Sequence, residues 1–359
     1  MASTGLQDMN QLTPDNGAVL DLRELLFLTA MQSEALERTM TIVTGAVHGK
    51  KVGGIGEMGL VGTTQPNCKP DFNSTNIATQ EKEWDLGQWT VAEEICYKDL
   101  LDTIIRMSLR KGTDIADMTG GEYIDLIVEP LLAKAIEKML WRLYWFGDKT
   151  ALNASAGGII TDGIDTDLFK VADGFFKRLL AITAADPSRR TVINANTETT
   201  YASQKSAIRD AGVAMDIFES LIYDADMRLR QASDKVILCT QSMADALAID
   251  VKRITGSDLQ WESMFDGLIS ATKWNGQEIL ALPRWDEMIA SFENNGTVVN
   301  KPHRAVFASI GTLWAGVEST NLLAQLKIWF SEDLQANRML AKDFIGTLIW
   351  EDYLVQYAY

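Results

Sequence analysis

Histidine is nearly absent: the 359-residue chain has two, His48 and His303. A His-rich metal centre is therefore excluded, and any triad or acid–base scheme must use one of those two or none. Cysteine is scarce as well. Cys68, Cys96 and Cys239 have no CxxC spacing, and three is a poor number for a disulfide framework, so the expected compartment is a reducing cytoplasm. No apolar run approaches the roughly 20 residues that cross a bilayer; Leu25-Leu26-Phe27-Leu28 is among the longest. The opening MASTGLQDMNQLTPDNG has no basic region followed by an apolar one, so the expectation is a soluble chain without a signal peptide. Positive charge is in deficit, 33 Lys+Arg against 49 Asp+Glu for a net charge of −16. Beyond Lys50-Lys51 and Arg189-Arg190 there is no basic cluster, which argues against sequence-specific nucleic-acid binding and gives no sign of a membrane partner.

What is present is globular. With 47% hydrophobic residues, the length allows two or three structural units and a core that needs no staples. Residues 1–16 are polar and aperiodic and read as an arm, followed by an amphipathic helix from Gly17 to about Arg38 with Leu22, Leu25, Leu26, Met31 and Leu36 on its apolar side. Residues 44–92 are Gly-rich, contain Pro66 and Pro70, and lack a helical period throughout. A stretch that long without a core of its own is uncommon in a compact domain unless it is functional. The expected form is a two-stranded arm, one strand near Lys51–Val61 and its return near Asn76–Thr90, lying on something else because an isolated hairpin is only marginally stable.

Helical spacing dominates 92–147. Cys96, Leu100, Ile104 and Met107 form one row, ending at Gly112. A second helix opens on Thr119 and Glu122 at capping-box spacing and keeps Ile124, Ile127, Leu131, Ala135, Met139, Arg142 and Phe146 on one face, with either a bend or a short first segment expected at Pro130. Beyond about 160, strands and helices alternate. Thr191–Ile193 and Lys235–Cys239 read as strands, Ala214–Gln231 and a segment from Ser242 to Ile254 as helices with Asp245 in the first turn, and Asn275-Gly276 as the turn of a hairpin. Arg304–Ser309, Thr312–Glu318, Gln325–Phe330, Met339–Trp350 and Leu354–Tyr359 read as further strands.

Motifs that would carry chemistry lack their context. Gly54-Ile55-Gly56-Glu57-Met58-Gly59 matches GxGxxG, but the following LVGTTQPNCKP cannot open the helix that a pyrophosphate site requires. Residues 45–51 are one short of a phosphate loop and place Lys51 where a hydroxyl must hold magnesium. The acids Asp162, Asp165 and Asp167, and the pair Asp224 and Asp226, lack the Gly and the closing Glu of a calcium loop and read as solvated turns. The sequons at Asn73, Asn153 and Asn295 read as polar loops, and the ten tryptophans as core or interface anchors. No catalytic residue, cofactor or metal site is expected.

The order of parts resembles the major capsid proteins of tailed bacteriophages, the Hong Kong 97 fold shared with encapsulin shells. The resemblance rests on the run Thr119–Phe146 ending in Phe146-Gly147-Asp148, on Val236–Thr240 leading into Ser242–Ile254, on Ile279–Asp286, and on the closing strands. It implies an α+β fold with an N-terminal arm and helix over 1–43, an extended E-loop hairpin over 44–92, a peripheral domain with the long spine helix over 93–164 and 326–359, and a mixed α/β axial domain over 165–325. It further implies a shell subunit without catalysis, assembling in the host cytoplasm as hexamers and pentamers of a virion, with portal, scaffold and decoration proteins as partners. Some members join a Lys to an Asn of another subunit; Lys50 and Lys51 lie near the arm, and no partner Asn is identified. On this reading Ile55, Met58, Leu60, Val61, Trp84, Leu86 and Trp89 meet a neighbouring subunit and would be wet in a lone one. The alternatives are an encapsulin-like shell and a small-molecule-binding α/β enzyme centred on 165–325.

Overall fold

The extended segments expected around the Gly-rich stretch are strands in the computed structural model, which describes residues 34–58, 77–96, 133–318, 327–331, 334 and 336–359. After one turn of helix, α1 (Glu34–Glu37), comes β1 (Thr41–Thr44). Strands β2 (Lys51–Met58) and β3 (Ile77–Glu83) pair antiparallel, with Lys51 opposite Glu83, Gly54 opposite Gln80, and an irregularity between Ile55 and Met58. The turn between them lies outside the described residues. The next element corrects part of the sequence reading: the single return strand expected near Asn76–Thr90 is two, β3 and the ten-residue β4 (Gly87–Cys96), and residues 92–96 are strand and not the start of a helix. Thr90, Val91 and Ile95 are β-branched and suit a pleated surface, so Cys96 closes a strand instead of opening a helical stripe. The remainder of that stripe, the Thr119–Glu122 cap and Pro130 lie outside the described residues. Of the helix expected over 119–146, the described residues form α2 (Ala133–Phe146).

The α/β segment follows largely as its periodicity predicts. Helix α3 (Phe175–Ala185) buries Phe175, Phe176 and Leu179. The strand expected at 191–193 shrinks to β5 (Arg190–Thr191), because residues 194–197 turn immediately. Helix α4 (Tyr201–Arg209) opens on a reciprocal Thr200–Ser203 cap. The single helix expected over 214–231 is two, α5 (Ala214–Tyr223) and α6 (Met227–Gln231). The break has a local cause: the Asp226 carboxylate accepts from the Arg228 backbone N–H at 2.9 Å, which starts a new helix. Then come β6 (Lys235–Thr240), α7 (Gln241–Thr255), β7 (Glu262–Met264), the hairpin β8 (Ile269–Trp274) with β9 (Gln277–Leu282), α8 (Pro283–Phe292) and β10 (Ala305–Ser309). Asn275 and Gly276 turn the hairpin at φ 48° and 74°, as that dipeptide demands.

The chain closes with β11 (Leu313–Val317), β12 (Lys327–Ser331), β13 (Ala336–Ile349) and β14 (Val355–Ala358). A seven-stranded mixed sheet has the order β5-β14-β10-β6-β9-β8-β7. The closing strand β14, grouped by the sequence reading with the peripheral segment, is thus built into the α/β sheet. In β6, Ile237 and Cys239 join one apolar cluster and Val236 and Leu238 another, which is why this strand reads as an unbroken apolar run. A five-stranded sheet is organised around the long β13, which pairs with β4, β11 and β12, while β1 adds parallel to β11. The core between them is aromatic: Trp145 and Trp285 meet edge to face at 4.5 Å, and Phe176 and Trp285 at 4.8 Å. Strands β2 and β3 form a separate two-stranded sheet that pairs with no other strand among the described residues.

Candidate assembly surface

An eight-residue strand reaches about 26 Å at ~3.3 Å per residue, and β2 is that long. A ribbon edge is a row of N–H and C=O groups able to accept a further strand, and among the described residues neither edge of this ribbon pairs with another strand. Its outer part is Gly-rich on β2, and its inner end is fastened to the five-stranded sheet by named contacts.

The fastening is a tryptophan stack. Trp84, just after β3, stacks on Trp314 of β11 with ring centroids 6.3 Å apart, and Trp314 stacks on Trp350 at 5.2 Å with the planes 4° apart. A Cβ built on Gly54 falls 2.4 Å from Trp350 Cζ2, and one built on Gly316 falls 2.4 Å from Trp84 Cζ3, so both backbones approach the rings at a distance open only to glycine. Polar ties complete the joint. The Lys82 ammonium donates to the Ile349 carbonyl at 2.6 Å and pairs with Asp352 at 2.5 Å. Lys149 pairs with Asp85 at 2.5 Å, and the Leu86 N–H donates to His48 Nδ1 at 3.1 Å. Between this joint and α3 runs a concave groove of about 390 Å³ whose walls include Lys82, Arg178, Ile182, Leu348 and Asp352.

The structure corrects the expected exposure of the arm's apolar residues. Trp84 and Trp89 are each 2% exposed within the single chain, and Leu86 is 5%. Trp84 and Leu86 pack with Ala46 and Leu348, while Trp89 joins the cluster that contains Met139, Leu140 and Tyr144. These three are core residues of the subunit, because β4 turns back into the five-stranded sheet instead of continuing the arm. Ile55 and Met58 lie in β2, the strand that reaches out. Leu60 and Val61 lie outside the described residues. From sequence, Gly54 stood out only within the GxGxxG match and Trp314 and Trp350 only among ten tryptophans read as core or interface anchors; the signal for the joint was a Gly-rich strand within a Trp-rich chain.

Residues considered for chemistry have structural partners. The GxGxxG glycines Gly54 and Gly56 sit within extended β2. Asp162 accepts from the Ser155 N–H at 2.9 Å and Asp165 from the Asp167 N–H at 2.9 Å. Asp226 is held by Arg228 at 2.9 Å and Arg189 at 3.3 Å, which keep its carboxyl far below the usual range. Among the described residues no group of three or more His, Cys, Asp or Glu is placed to hold a metal, and none of the helices is long and apolar enough to cross a membrane. His303 is buried. Its Nε2 faces the Gln204 carbonyl at 3.0 Å, which can only accept, so Nε2 carries the proton and Nδ1 accepts from the Ser242 hydroxyl at 2.9 Å. Burial lowers this imidazole to about 4, keeping it neutral. Nearby, Asp286 of α8 caps α7 from outside that helix, accepting from the N–H groups of Gln241 at 2.5 Å and Ser242 at 3.2 Å, and burial raises its carboxyl to about 6.

Neither a family model nor a curated protein matches this sequence. In solved structures the likeness is extensive. A chain of Gordonia phage Cozz is similar at a TM-score of 0.52 and 11% identity, covering 91% of this chain and 85% of that one. The shape is also similar to a chain of the satellite phage P4 procapsid that includes size determination (Sid) protein, at 0.48 and 11%, covering 91% and 97%. A chain of the holo-SrpI encapsulin complex from Synechococcus elongatus PCC 7942 is similar at 0.45 and 10%, covering 90% and 85%. The fold, mixed α/β, is shared with the Cozz phage chain over nearly the whole length of both.

Proposed function

We propose that this chain is the subunit of an icosahedral phage shell, assembling with copies of itself around a genome and performing no catalysis. The observation that carries the reading is the ribbon of β2 and β3. It belongs to neither large sheet and is clamped at its inner end by the Trp84–Trp314–Trp350 stack. The likeness of fold to a phage chain over 91% of this one supports it. A ribbon with two open edges gains its remaining hydrogen bonds and apolar contacts from another copy, which is how a shell is knitted from identical parts. The acidic balance fits, since a container under internal DNA pressure should not adhere to phosphate.

On this reading the fold is Hong Kong 97-like. The ribbon within 44–92 is the E-loop, α2 ends the spine helix of a peripheral domain built from 93–164 and 326–354, and the seven-stranded sheet, which lies within 165–325 except for β14, is the centre of the axial domain. Hexamers and pentamers are the expected oligomers, formed in the host cytoplasm, with portal, scaffold and decoration proteins as further partners. Electron microscopy of negatively stained purified protein, with light scattering, tests the proposal: closed particles of megadalton mass are expected, and a compact monomer that persists at high concentration with co-expressed phage factors would refute it.

A further inference from the structure

The chain carries an excess of acid, yet at one place two cations, Lys301 and Arg190, stand near the paired Arg304–Glu293 and Lys177–Asp148 without an ion pair of their own among the described residues. The segment between α8 and β10 is held down by a buried ion pair of Arg304 with Glu293. Arg304 also donates through Nε to the Lys301 carbonyl at 2.8 Å and through Nη2 to the Asn300 carbonyl at 2.9 Å, while the Asn300 amide donates to Glu293 at 2.8 Å. These bonds fix the loop so that Lys301, a residue with a Cβ, takes the left-handed conformation at φ 44°. Such strain persists only where the surroundings impose it. The ammonium is thereby set 4.2 Å from the centre of the Tyr359 ring, and the Arg190 guanidinium stands 4.3 Å from the same ring. Among the described residues neither Lys301 nor Arg190 has a carboxylate within ion-pairing distance of 4.0 Å, unlike the neighbouring Lys177, which pairs with Asp148 at 3.0 Å.

A cavity of about 40 Å³ opens beside Lys301, walled by Phe176, Arg304 and Tyr357 among others. A water molecule occupies about 30 Å³, so the space suits a single small polar group. Tyr357 is buried, and its hydroxyl makes no hydrogen bond among the described residues. A cation fixed by a strained loop, a second cation on the same ring, and an unpartnered hydroxyl in the wall together form the chemistry of an anion site.

We propose that the mouth of this cavity binds a carboxylate group, held by the Lys301 ammonium and the Tyr357 hydroxyl, with the Arg190 guanidinium on the same Tyr359 ring adding positive charge nearby. Two donors meet the two oxygens of a carboxylate, and the cavity admits little more than its head. The same chemistry can come from a free carboxylate or from an acidic side chain of another copy of this chain.

The test is thermal melting of the purified protein during titration with sodium acetate, in parallel with Lys301→Met and Tyr357→Phe. Wild type should show a saturable rise of the melting midpoint, Lys301→Met should show only the small unsaturated salt effect, and Tyr357→Phe should need several-fold more acetate. Because the Tyr357 hydroxyl has no partner, that variant folds normally and keeps the test valid should Lys301→Met be poorly folded. The rise should fade above about pH 8, where Lys301, lowered by burial and by the nearby arginines, loses its proton. The other groups facing it are Arg304 with Glu293, Lys177 with Asp148, Arg190, Tyr357 and Tyr359. Identical titrations for wild type and both variants would overturn the proposal, as would an equal Lys301-dependent rise with chloride, which lacks the two-oxygen geometry. If acetate also raises the protein concentration needed for assembly in wild type but not in Lys301→Met, the natural carboxylate belongs to a neighbouring copy; if assembly is unaffected, it is a free anion. The melting arm needs no assembly, so it stands apart from the shell reading.

Discussion

The indole of Trp350 occupies the space into which any side chain at Gly54 would project, since a Cβ there comes within 2.4 Å of Cζ2. Trp350 cannot step aside freely because Trp314 lies against its other surroundings at 5.2 Å, nearly parallel. Gly54→Ala should therefore cost ~1–3 kcal/mol through overpacking. Chemical denaturation would show it, and Gly53→Ala, where a Cβ meets nothing within 4 Å, serves as the control.

Trp84→Ala removes the first ring of the stack from a site that is 2% exposed. The expected loss is ~3–5 kcal/mol of subunit stability, read as a lower denaturation midpoint in dilute protein. An unchanged midpoint with failed assembly would instead put Trp84 at a contact between copies.

Acid should reveal two opposed groups beside α7. His303 is lowered to about 4 by burial from an ordinary value near 6.5, so its contribution is complete above pH 6.5 and is lost as pH falls toward 4, about 3 kcal/mol in all. Asp286 is raised to about 6, so its contribution has the opposite sign: it is present below about pH 4 and lost as pH rises through 6, also about 3 kcal/mol. In the native chain the two slopes nearly cancel between pH 4 and 6. Denaturation curves at pH 4.5, 5.5 and 7 should show Asp286→Asn losing stability steeply on acidification, whereas His303→Gln gains.

Arg304→Met leaves the Glu293 carboxylate buried without its partner and should cost ~3–5 kcal/mol. Glu293→Leu combined with Arg304→Met should recover most of that loss, because neither charge then remains buried. A double-mutant cycle by urea unfolding gives the comparison, and additive losses would contradict the pairing.

Local signals were the legible ones. Asn275-Gly276 fixes its own backbone, and the apolar run from Val236 to Cys239 announces a strand covered on both faces, so these elements lie where the sequence places them. Spacing alone failed at Cys96, where apolar residues four apart suited a helix until pairing with β13 made the segment a strand. The expected exposure of Trp84 and Trp89 failed for a related reason. Which surface covers a side chain is decided by partners such as Leu348 and Met139, far along the chain, and no local pattern encodes them. The cap of α7 was invisible for the same cause, since Asp286 reaches it from 44 residues away.

The five-stranded sheet has a consequence for timing. Strands β1 and β4 leave the ribosome early, yet their partners are β11 and β13, more than two hundred residues later. At ~5–20 residues per second the wait for residues 336–349 is roughly 10–50 s. During that interval the joint that orients the ribbon does not exist. If the chain assembles as proposed, synthesis order acts as a quality gate that admits whole subunits only. A nascent chain arrested before Ala336 should leave the amides of β4 open to hydrogen exchange, and protected amides there would disprove the gate.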